Sequence, residues 1–296
     1  MRFSLLILAS LAAVGLASPS PAAFPPLSDN VLRDLRSRDP ASYSVYSLQN
    51  DTGLAARAAP NGLTGVQLRG SASRSFAYTF DDGPYVNQKR ISQFFSDKGS
   101  KTTFFVNGNN YRCIYDTASV SSLRDAYAKG HQICMHTWSH PHLPQLNNQQ
   151  LDNQVQLMED ALYKILGVVP ACIRAPYGEI RDDQVKYLND RWGLVVVGWN
   201  VDSGDANGDG VQAALARYRQ QKAPKHVIAL NHETVQSAVD TTMPQAYDIL
   251  RSNGYSAANI MTVASALKFN PYKVQGQRGS RDASWTCDGK PLPGAN

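Results

Sequence analysis

Short apolar runs alternate with amphipathic stretches along the chain from about residue 68 onward. Within the amphipathic stretches apolar residues recur every three or four positions, which predicts helices with one buried face. Glycines such as Gly99, Gly130 and Gly167 stand where these helices end and the next apolar run begins. The predicted helices are 86–98, 119–129, 148–166, 181–191, 210–221, 244–253 and 263–268. The predicted strands are 75–80, 101–106, 132–136, 171–175, 194–199, 227–231 and 259–262.

This order of strands and helices predicts an α/β fold in which helices connect parallel strands. Six or seven such units favour a parallel barrel, complete or incomplete, and an open doubly wound sheet is the alternative. Residues 68–269 carry the pattern and form the predicted folded domain. Residues 270–296 are polar and rich in glycine, and we expect them to form an irregular tail.

The beginning of the chain has a different pattern. Arg2 precedes an apolar run that ends in small residues, so residues 1–17 are expected to be a signal peptide cleaved after Ala17. Residues 18–67 are rich in Pro, Ser, Ala and Arg and are expected to be a pro-region or linker. No later stretch is long and apolar enough to span a membrane. We therefore expect a secreted protein of the extracellular space or cell wall, without a membrane anchor once the signal peptide is removed, and a monomer.

Composition and charge exclude one class of partner. With 43% apolar and 18% charged residues, the chain is typical of a globular protein. The formal net charge is +5, but Lys and Arg are scattered and form no basic run of the kind that binds nucleic acid. Nucleic acid is therefore not an expected partner.

The four cysteines could form disulfide bonds in a secreted protein. Cys113 and Cys287 lie in polar loop or tail sequence and are the favoured pair. Cys134 and Cys172 lie in apolar predicted strands, where buried thiols are the simpler expectation. The pairing stays open, and the lack of any C-x-x-C spacing argues against a zinc site made of cysteines.

Ionisable side chains are concentrated at the carboxyl ends of the predicted strands. Asp81 and Asp82 follow the first strand, and His136 ends the third. The later strand ends carry Arg174, Asp202, Asp205, His232 and Glu233. Parallel α/β barrels hold their active sites at this edge, so we expect these residues to converge on one site. Taken alone, the aspartate pair would fit an acidic surface turn equally well.

Two histidines indicate a metal site. His136 and His140 can face one metal from a single helical turn, and the aspartate pair can supply a carboxylate. Two neutral imidazoles and one carboxylate leave an open position for water on Zn²⁺, which is the pattern of a catalytic site. The alternative is a pair of hydrogen-bonded histidines. His142 is expected to be a bystander.

Taken in order, several segments of the chain resemble the five motifs of the NodB-like polysaccharide deacetylases, also called carbohydrate esterase family four. The segments are Thr79–Pro84, His136–His140, Arg174–Gly178, Asp202–Asp205 and Leu230–His232. The resemblance covers about residues 68–269, and the secreted layout together with Phe104–Asn110 resembles fungal chitin deacetylases most. It implies a distorted, incomplete (β/α)7 parallel barrel that forms a single catalytic domain.

The resemblance also implies a role for each matching residue. Asp82, His136 and His140 would be the ligands of Zn²⁺, with Co²⁺ or another divalent transition metal as the alternative. Asp81 would be the general base, held and tuned by Arg174.

The other implied roles concern the leaving group and the substrate. His232 would be the general acid, oriented by Asp202. The backbone N–H of Tyr177 would help to stabilise the oxyanion. Leu230 would line the acetyl pocket beside Trp199.

The implied activity is metal-dependent hydrolysis of N-acetyl groups from the N-acetylglucosamine units of chitin or chitooligosaccharides, which gives glucosamine units and acetate. Peptidoglycan and O-acetylated xylan are alternative substrates, because the loops that grip the polymer vary. An inactive carbohydrate-binding protein is the alternative from another class, and such a protein would lack a ligand, the base or the acid. The chain departs from the family pattern at Ala206, where Trp is usual, and at Glu233, where Asp is common. The first departure is expected to open the groove or shift its hydrophobic wall.

Overall fold

One curled sheet of eight strands lies at the centre of the computed structural model, which describes residues 59–295. The predicted signal peptide and most of the predicted linker lie outside the described residues. In chain order the strands are β1 (Val66–Gln67), β2 (Phe76–Gly83), β3 (Thr103–Val106), β4 (Gln132–Met135), β5 (Val168–Pro170), β6 (Cys172–Ile173), β7 (Val195–Val197), β8 (Val201–Asp202), β9 (Val227–Leu230) and β10 (Tyr272–Gln275). β5 and β10 form a separate antiparallel pair.

The order of the strands decides between a barrel and an open sheet. It runs β1–β7–β6–β4–β3–β2–β9–β8, and every neighbouring pair is parallel. From β2 to β9 this is the cyclic order of a barrel, opened between β7 and β8, and β1 pairs with β7 at the open edge. A doubly wound sheet would instead reverse its strand order at a switch point. The prediction of a distorted, incomplete parallel barrel in a single domain is therefore confirmed.

Helices follow the strands, and all of them except α7 pack on the outer face of the sheet. They are α1 (Gln88–Asp97), α2 (Thr117–Ala128), α3 (Asn148–Leu166), α4 (Asp182–Arg191), α5 (Gly210–Arg219), α6 (Met243–Ser252) and α7 (Val263–Leu267). α3 has the predicted bounds because both of its ends are determined locally. Asn147 and Gln150 form a reciprocal capping box at its start. Gly167 ends it at a φ of 77°, and an added Cβ there would lie only 2.3 Å from Gly276 O.

Successive strand residues point into two different cores, as the period of a strand requires. The core inside the curled sheet includes Ala77, Phe105, Cys134, Cys172 and Ile228. The core between the sheet and the helices includes Phe76, Tyr78, Phe80, Phe104 and Ile133. α7 packs into the inner core, where the N–H of Val263 donates to Thr103 Oγ1 at 2.9 Å.

The predicted strand 259–262 is wrong. Within this stretch Ile260 makes an isolated parallel bridge to Phe76, and the chain then turns into α7. The start of α7 is tied to the sheet through Thr103 and Gln132, so this stretch serves as the entry to a helix. The tail predicted to be irregular begins with a short strand, β10, which pairs with β5.

Both pairs of cysteines form disulfide bonds. The favoured pair, Cys113 with Cys287, is confirmed and joins the loop after β3 to the tail. Cys134 and Cys172 were expected to be buried thiols, but this expectation is wrong. They form a disulfide bond that joins β4 to β6 inside the curled sheet. Among the described residues, no helix is long and apolar enough to cross a membrane.

Candidate active site

The polar side chains at the carboxyl ends of the strands converge on one cavity of about 540 Å³. All of the residues that were given a catalytic, metal-binding or substrate-binding role from the sequence line it except Arg174, which is fully buried behind Asp81. Asp205 and Glu233, which were also expected at the site, do not line the cavity. The convergence follows from the parallel sheet, because the carboxyl ends of its strands meet at one edge. Asp81 is 2% exposed and Asp82 is 9% exposed, so the alternative of an acidic surface turn is wrong.

Asp82, His136 and His140 form a group whose ligand atoms all lie within 4.8 Å of one another. Asp82 Oδ1 lies 3.6 Å from His136 Nε2 and 3.3 Å from His140 Nε2. Burial lowers the pKa of both histidines to about 3, so both imidazoles are neutral at neutral pH. His136 Nδ1 lies 3.0 Å from Arg174 O and can donate to it, which leaves Nε2 as the lone-pair nitrogen directed at the group.

The state of Asp82 is a second observation that indicates a divalent metal at this group. Among the described residues, the buried atom Asp82 Oδ1 has no hydrogen-bond partner. Burial also raises the pKa of Asp82 to about 6, because a carboxylate without a cation is poorly stabilised there. A carboxylate oxygen and two neutral imidazole nitrogens are the donor set that Zn²⁺ takes in catalytic sites.

The backbone at the site adopts conformations that non-glycine residues rarely take. Asp82, Thr137, His140 and Tyr177 have φ values of 70°, 68°, 58° and 59°. Such conformations cost of order 1–3 kcal/mol each and persist only where the surroundings hold them. Here Thr137 Oγ1 accepts from the N–H of His140 at 3.1 Å, and Asn107 Nδ2 donates to Thr137 O at 3.1 Å.

Asp81 is held on the side away from the cavity by Arg174. Arg174 Nη1 donates to Asp81 Oδ1 and to Thr79 Oγ1, each at 2.7 Å, and its guanidinium lies over the Phe105 ring at 3.9 Å. Burial raises the pKa of Asp81, and the positive charge of Arg174 opposes this rise. Asp81 Oδ2 lies 3.7 Å from His136 Nε2, so the second oxygen is directed at the ligand group.

His232 is held by Asp205 rather than by the expected Asp202. Asp205 Oδ1 accepts from His232 Nδ1 at 2.7 Å, and Asp205 Oδ2 accepts from the backbone N–H of His232 at 2.8 Å. Asp202 ends β8 opposite Leu230, and its Oδ1 accepts from the N–H of Gly204 at 2.7 Å. Asp202 thus stabilises the turn that leads to Asp205, and Asp205 in turn bonds the imidazole of His232. The expected role of Asp202 is therefore corrected, although its side chain still lines the cavity.

The environment of His232 determines its protonation. Burial lowers its pKa, but the hydrogen bond and negative charge of Asp205 outweigh burial and raise the pKa to about 9. His232 is therefore an imidazolium at neutral pH, unlike His136 and His140. Since Nδ1 is bonded to Asp205, Nε2–H is the donor that remains for a ligand.

Tyr177 forms one wall of the mouth and is 54% exposed. Its ring contacts His140 edge-on at 4.5 Å between centroids and stacks on His142 at 4.2 Å. His142 Nδ1 lies 2.7 Å from Glu179 Oε2, and His142 is not part of the ligand group. Trp199, Leu230 and Ala206 line the cavity.

Two further residues that line the cavity received no role from the sequence. Asn110 and Tyr111 line the cavity from the loop after β3, and Tyr111 is 54% exposed. The Tyr111 ring packs against Tyr85 at 5.5 Å between centroids. The only sequence signal was an aromatic residue directly after Phe104–Asn110, which does not by itself indicate a wall.

Comparisons with known proteins agree with this geometry. The family model described as polysaccharide deacetylase matches residues 69–197. A chitin deacetylase of Pestalotiopsis sp is 32% identical over 204 residues, which cover 68% of this chain and 67% of that relative. A peptidoglycan-N-acetylglucosamine deacetylase of Bacillus cereus is 32% identical over 169 residues, covering 55% of this chain and 59% of the relative. Several other curated relatives are longer, and the chain spans half of their length or less.

A solved structure shows the same fold. The chitin deacetylase of Colletotrichum lindemuthianum superimposes with a TM-score of 0.67 at 24% sequence identity. The match covers 74% of this chain and 98% of that one. The incomplete barrel therefore belongs to a fold already seen in solved structures.

Proposed function

We propose that this chain, which belongs to the polysaccharide deacetylase family, hydrolyses N-acetyl groups of N-acetylglucosamine units in chitin or chitooligosaccharides with the help of a divalent metal. The products are acetate and glucosamine units. One observation carries the proposal: the ligand group lies in one cavity together with a carboxyl group, that of Asp81, and a protonated imidazole, that of His232. We further propose that the protein is secreted and acts as a monomer.

The ligand group is proposed to hold Zn²⁺, or alternatively Co²⁺ or another divalent transition metal, through Asp82, His136 and His140. When bound, such an ion lowers the pKa of water and polarises a carbonyl oxygen. The neutral state of both imidazoles and the unpartnered oxygen of Asp82 support this assignment.

Asp81 is proposed to take the proton from the attacking water. Its Oδ1 is fixed by Arg174, so the carboxylate cannot turn away, while Oδ2 is directed at the ligand group. General base catalysis by a positioned carboxylate is typically worth 10²–10⁴-fold in rate. The pKa of Asp81 is raised by burial, which makes its carboxylate a better proton acceptor than a surface aspartate.

His232 is proposed to protonate the leaving amine. An amide nitrogen leaves poorly unless it receives a proton in the transition state. The raised pKa of His232 keeps the imidazole protonated at neutral pH, and Asp205 fixes the ring so that Nε2–H remains for donation. The N–H of Tyr177 is proposed to help stabilise the oxyanion, a contribution of about 3–4 kcal/mol for one good donor.

The shape of the mouth supports a sugar polymer as the substrate. Among the described residues, exposed large apolar side chains include Tyr111 and Tyr177, which both line the cavity. Val66 and Leu68, also exposed, line a second cavity of about 220 Å³ that shares Tyr177 and Trp199 with the first. Exposed apolar groups gathered at a groove mark a binding surface, and flat rings suit the apolar faces of sugar units. Leu230 and Trp199 are proposed to receive the acetyl group.

Peptidoglycan is the second candidate substrate, because the Bacillus cereus relative is named as a peptidoglycan-N-acetylglucosamine deacetylase. Acetate release by the purified protein, measured on chitin oligomers, peptidoglycan and acetylated xylan with and without chelator, tests the proposal. Release from chitin oligomers that chelator abolishes and Zn²⁺ restores is expected. Binding to chitin without acetate release at any metal concentration would instead favour an inactive carbohydrate-binding protein.

A further inference from the structure

The loop that carries the two histidine ligands is bonded to a segment far away in the sequence, Pro291–Ala295. The N–H of Gly294 donates to Ser139 O at 2.6 Å, and Ser139 Oγ donates to Ala295 O. Trp138 Nε1 donates to Pro291 O at 3.2 Å. Ser139 and Trp138 are both fully buried and lie between His136 and His140 in the chain. The segment therefore contacts loop residues that do not line the cavity.

Two further side chains connect the same partners. Gln154 of α3 accepts from the N–H of Ser139 at 3.0 Å and donates to Ala295 O at 3.3 Å. Asn109 Nδ2 donates to Pro291 O at 3.0 Å, and the N–H of Asn109 donates to Trp138 O at 2.7 Å. Gln154 and Asn109 thus each bond both the loop and the 291–295 segment. If the loop or the segment shifted alone, buried polar groups would be left unpaired.

The segment is itself anchored close to the loop. Cys287 is bonded to Cys113 in the loop after β3, and Lys290 N–H donates to Cys287 O at 3.2 Å. The indole of Trp138 lies against Gly108, where an added Cβ would come within 2.0 Å of the ring. Trp138 is therefore fixed between the backbone of Gly108 and the carbonyl of Pro291.

The loop between the two histidine ligands depends on its surroundings for its conformation. Thr137 and His140 adopt left-handed backbone conformations that relax unless the surroundings prevent it. Metal affinity depends on partners that orient the ligands. We propose that Pro291–Ala295 is a positioning segment for the metal ligands: by bonding Ser139 and Trp138, it holds His136 and His140 where both face Asp82. This inference rests on the metal site of the proposed function.

A chain that ends at Lys290 tests the proposal, because it keeps both disulfides and lacks the segment. Affinity for Zn²⁺ is measured by competition with a chelating indicator, and Co²⁺ bound in its place gives an absorption spectrum that reports the ligand geometry. We expect the truncated chain to bind Zn²⁺ at least tenfold more weakly than the full chain and to show an altered Co²⁺ spectrum. Equal affinity and an unchanged spectrum would overturn the proposal.

Two point variants keep the test decisive if the truncated chain does not fold. Trp138→Phe removes the bond to Pro291 O and Ser139→Ala removes the bond to Ala295 O, and each should weaken Zn²⁺ binding. Ser284→Ala is the matched control, since Ser284 Oγ bonds Asp282 and Lys164 in another part of the tail. Point variants that bind Zn²⁺ as tightly as this control would overturn the positioning role. If the full chain itself binds no metal, the proposed metal site fails instead.

Discussion

Asp205 accepts two hydrogen bonds from His232, one from Nδ1 at 2.7 Å and one from the backbone N–H at 2.8 Å. The two bonds fix both the rotation of the imidazole and its tautomer. They also supply the negative charge that outweighs burial and raises the pKa of His232 to about 9. The acid of the proposed reaction therefore depends on a carboxylate three positions beyond the one that the sequence suggested.

Asp205→Asn should shift the basic limb of the pH–rate profile toward lower pH. His232 donates a proton only while it is protonated, so turnover falls as pH rises through its pKa. Removing the charge of Asp205 leaves burial, which lowers that pKa, and we expect a shift of about one pH unit or more. The measurement is kcat for acetate release as a function of pH.

Asp202→Asn is the matched control, because Asp202 lies at the same cavity and bonds Gly204 instead of the imidazole. Its basic limb should stay within a few tenths of a pH unit of the unchanged enzyme. A shift in this variant, together with an unshifted profile for Asp205→Asn, would show that the assignment of the partner is wrong.

Asp81→Asn should greatly reduce turnover while leaving metal binding intact. Asn keeps the shape of the side chain, and Asp81 lies beside the ligand group rather than in it. We expect kcat to fall at least ~100-fold, the lower end for loss of a general base. His140→Ala, in contrast, removes a ligand and should lose both metal and activity. Near-normal acetate release by Asp81→Asn would disprove its role as the base.

The parts of the fold that could be predicted are those determined by neighbouring residues. The first and last residues of α3 are predicted correctly because Asn147 caps the helix and Gly167 ends it. Both signals lie within a few positions of the helix. β1 and β8 are two residues long and exist because β7 and β9 lie beside them, which no local pattern shows. The same reason explains why the prediction missed β10, whose partner β5 lies about a hundred residues away.

The site shows the same division. The strand-end positions of Asp82 and His136 follow from local alternation and a parallel sheet, so their convergence could be predicted. The choice between Asp202 and Asp205 depends on how a turn folds after β8, and both residues fit the sequence pattern equally well. The support of the loop at Ser139 by Ala295 joins positions that only the folded chain brings together.

Removal of the metal should lower both activity and stability. Asp82 Oδ1 is buried without a partner among the described residues, and a bound cation would supply one. A ligand that binds only the folded state, present at a hundred times its Kd, stabilises by about 2.7 kcal/mol. We therefore expect Tm to fall on addition of chelator and to recover with Zn²⁺. A Tm that does not respond to chelator in a protein that still releases acetate would contradict the metal site.

Gly108→Ala should destabilise the protein although only one methyl group is added. The new Cβ would lie 2.0 Å from Trp138 Cε3, and the indole cannot retreat because it is fully buried and its Nε1 is bonded to Pro291 O. Overpacking of this kind costs about 1–3 kcal/mol. Gly279→Ala is the control, because its closest contact would be 3.1 Å from Lys164 O and small shifts can relieve it. Chemical denaturation of both variants measures the free energy of unfolding. A Gly108→Ala protein as stable as the Gly279→Ala protein would mean that Trp138 has room to move, and the loop between the histidine ligands would then be less rigidly held than the contacts indicate.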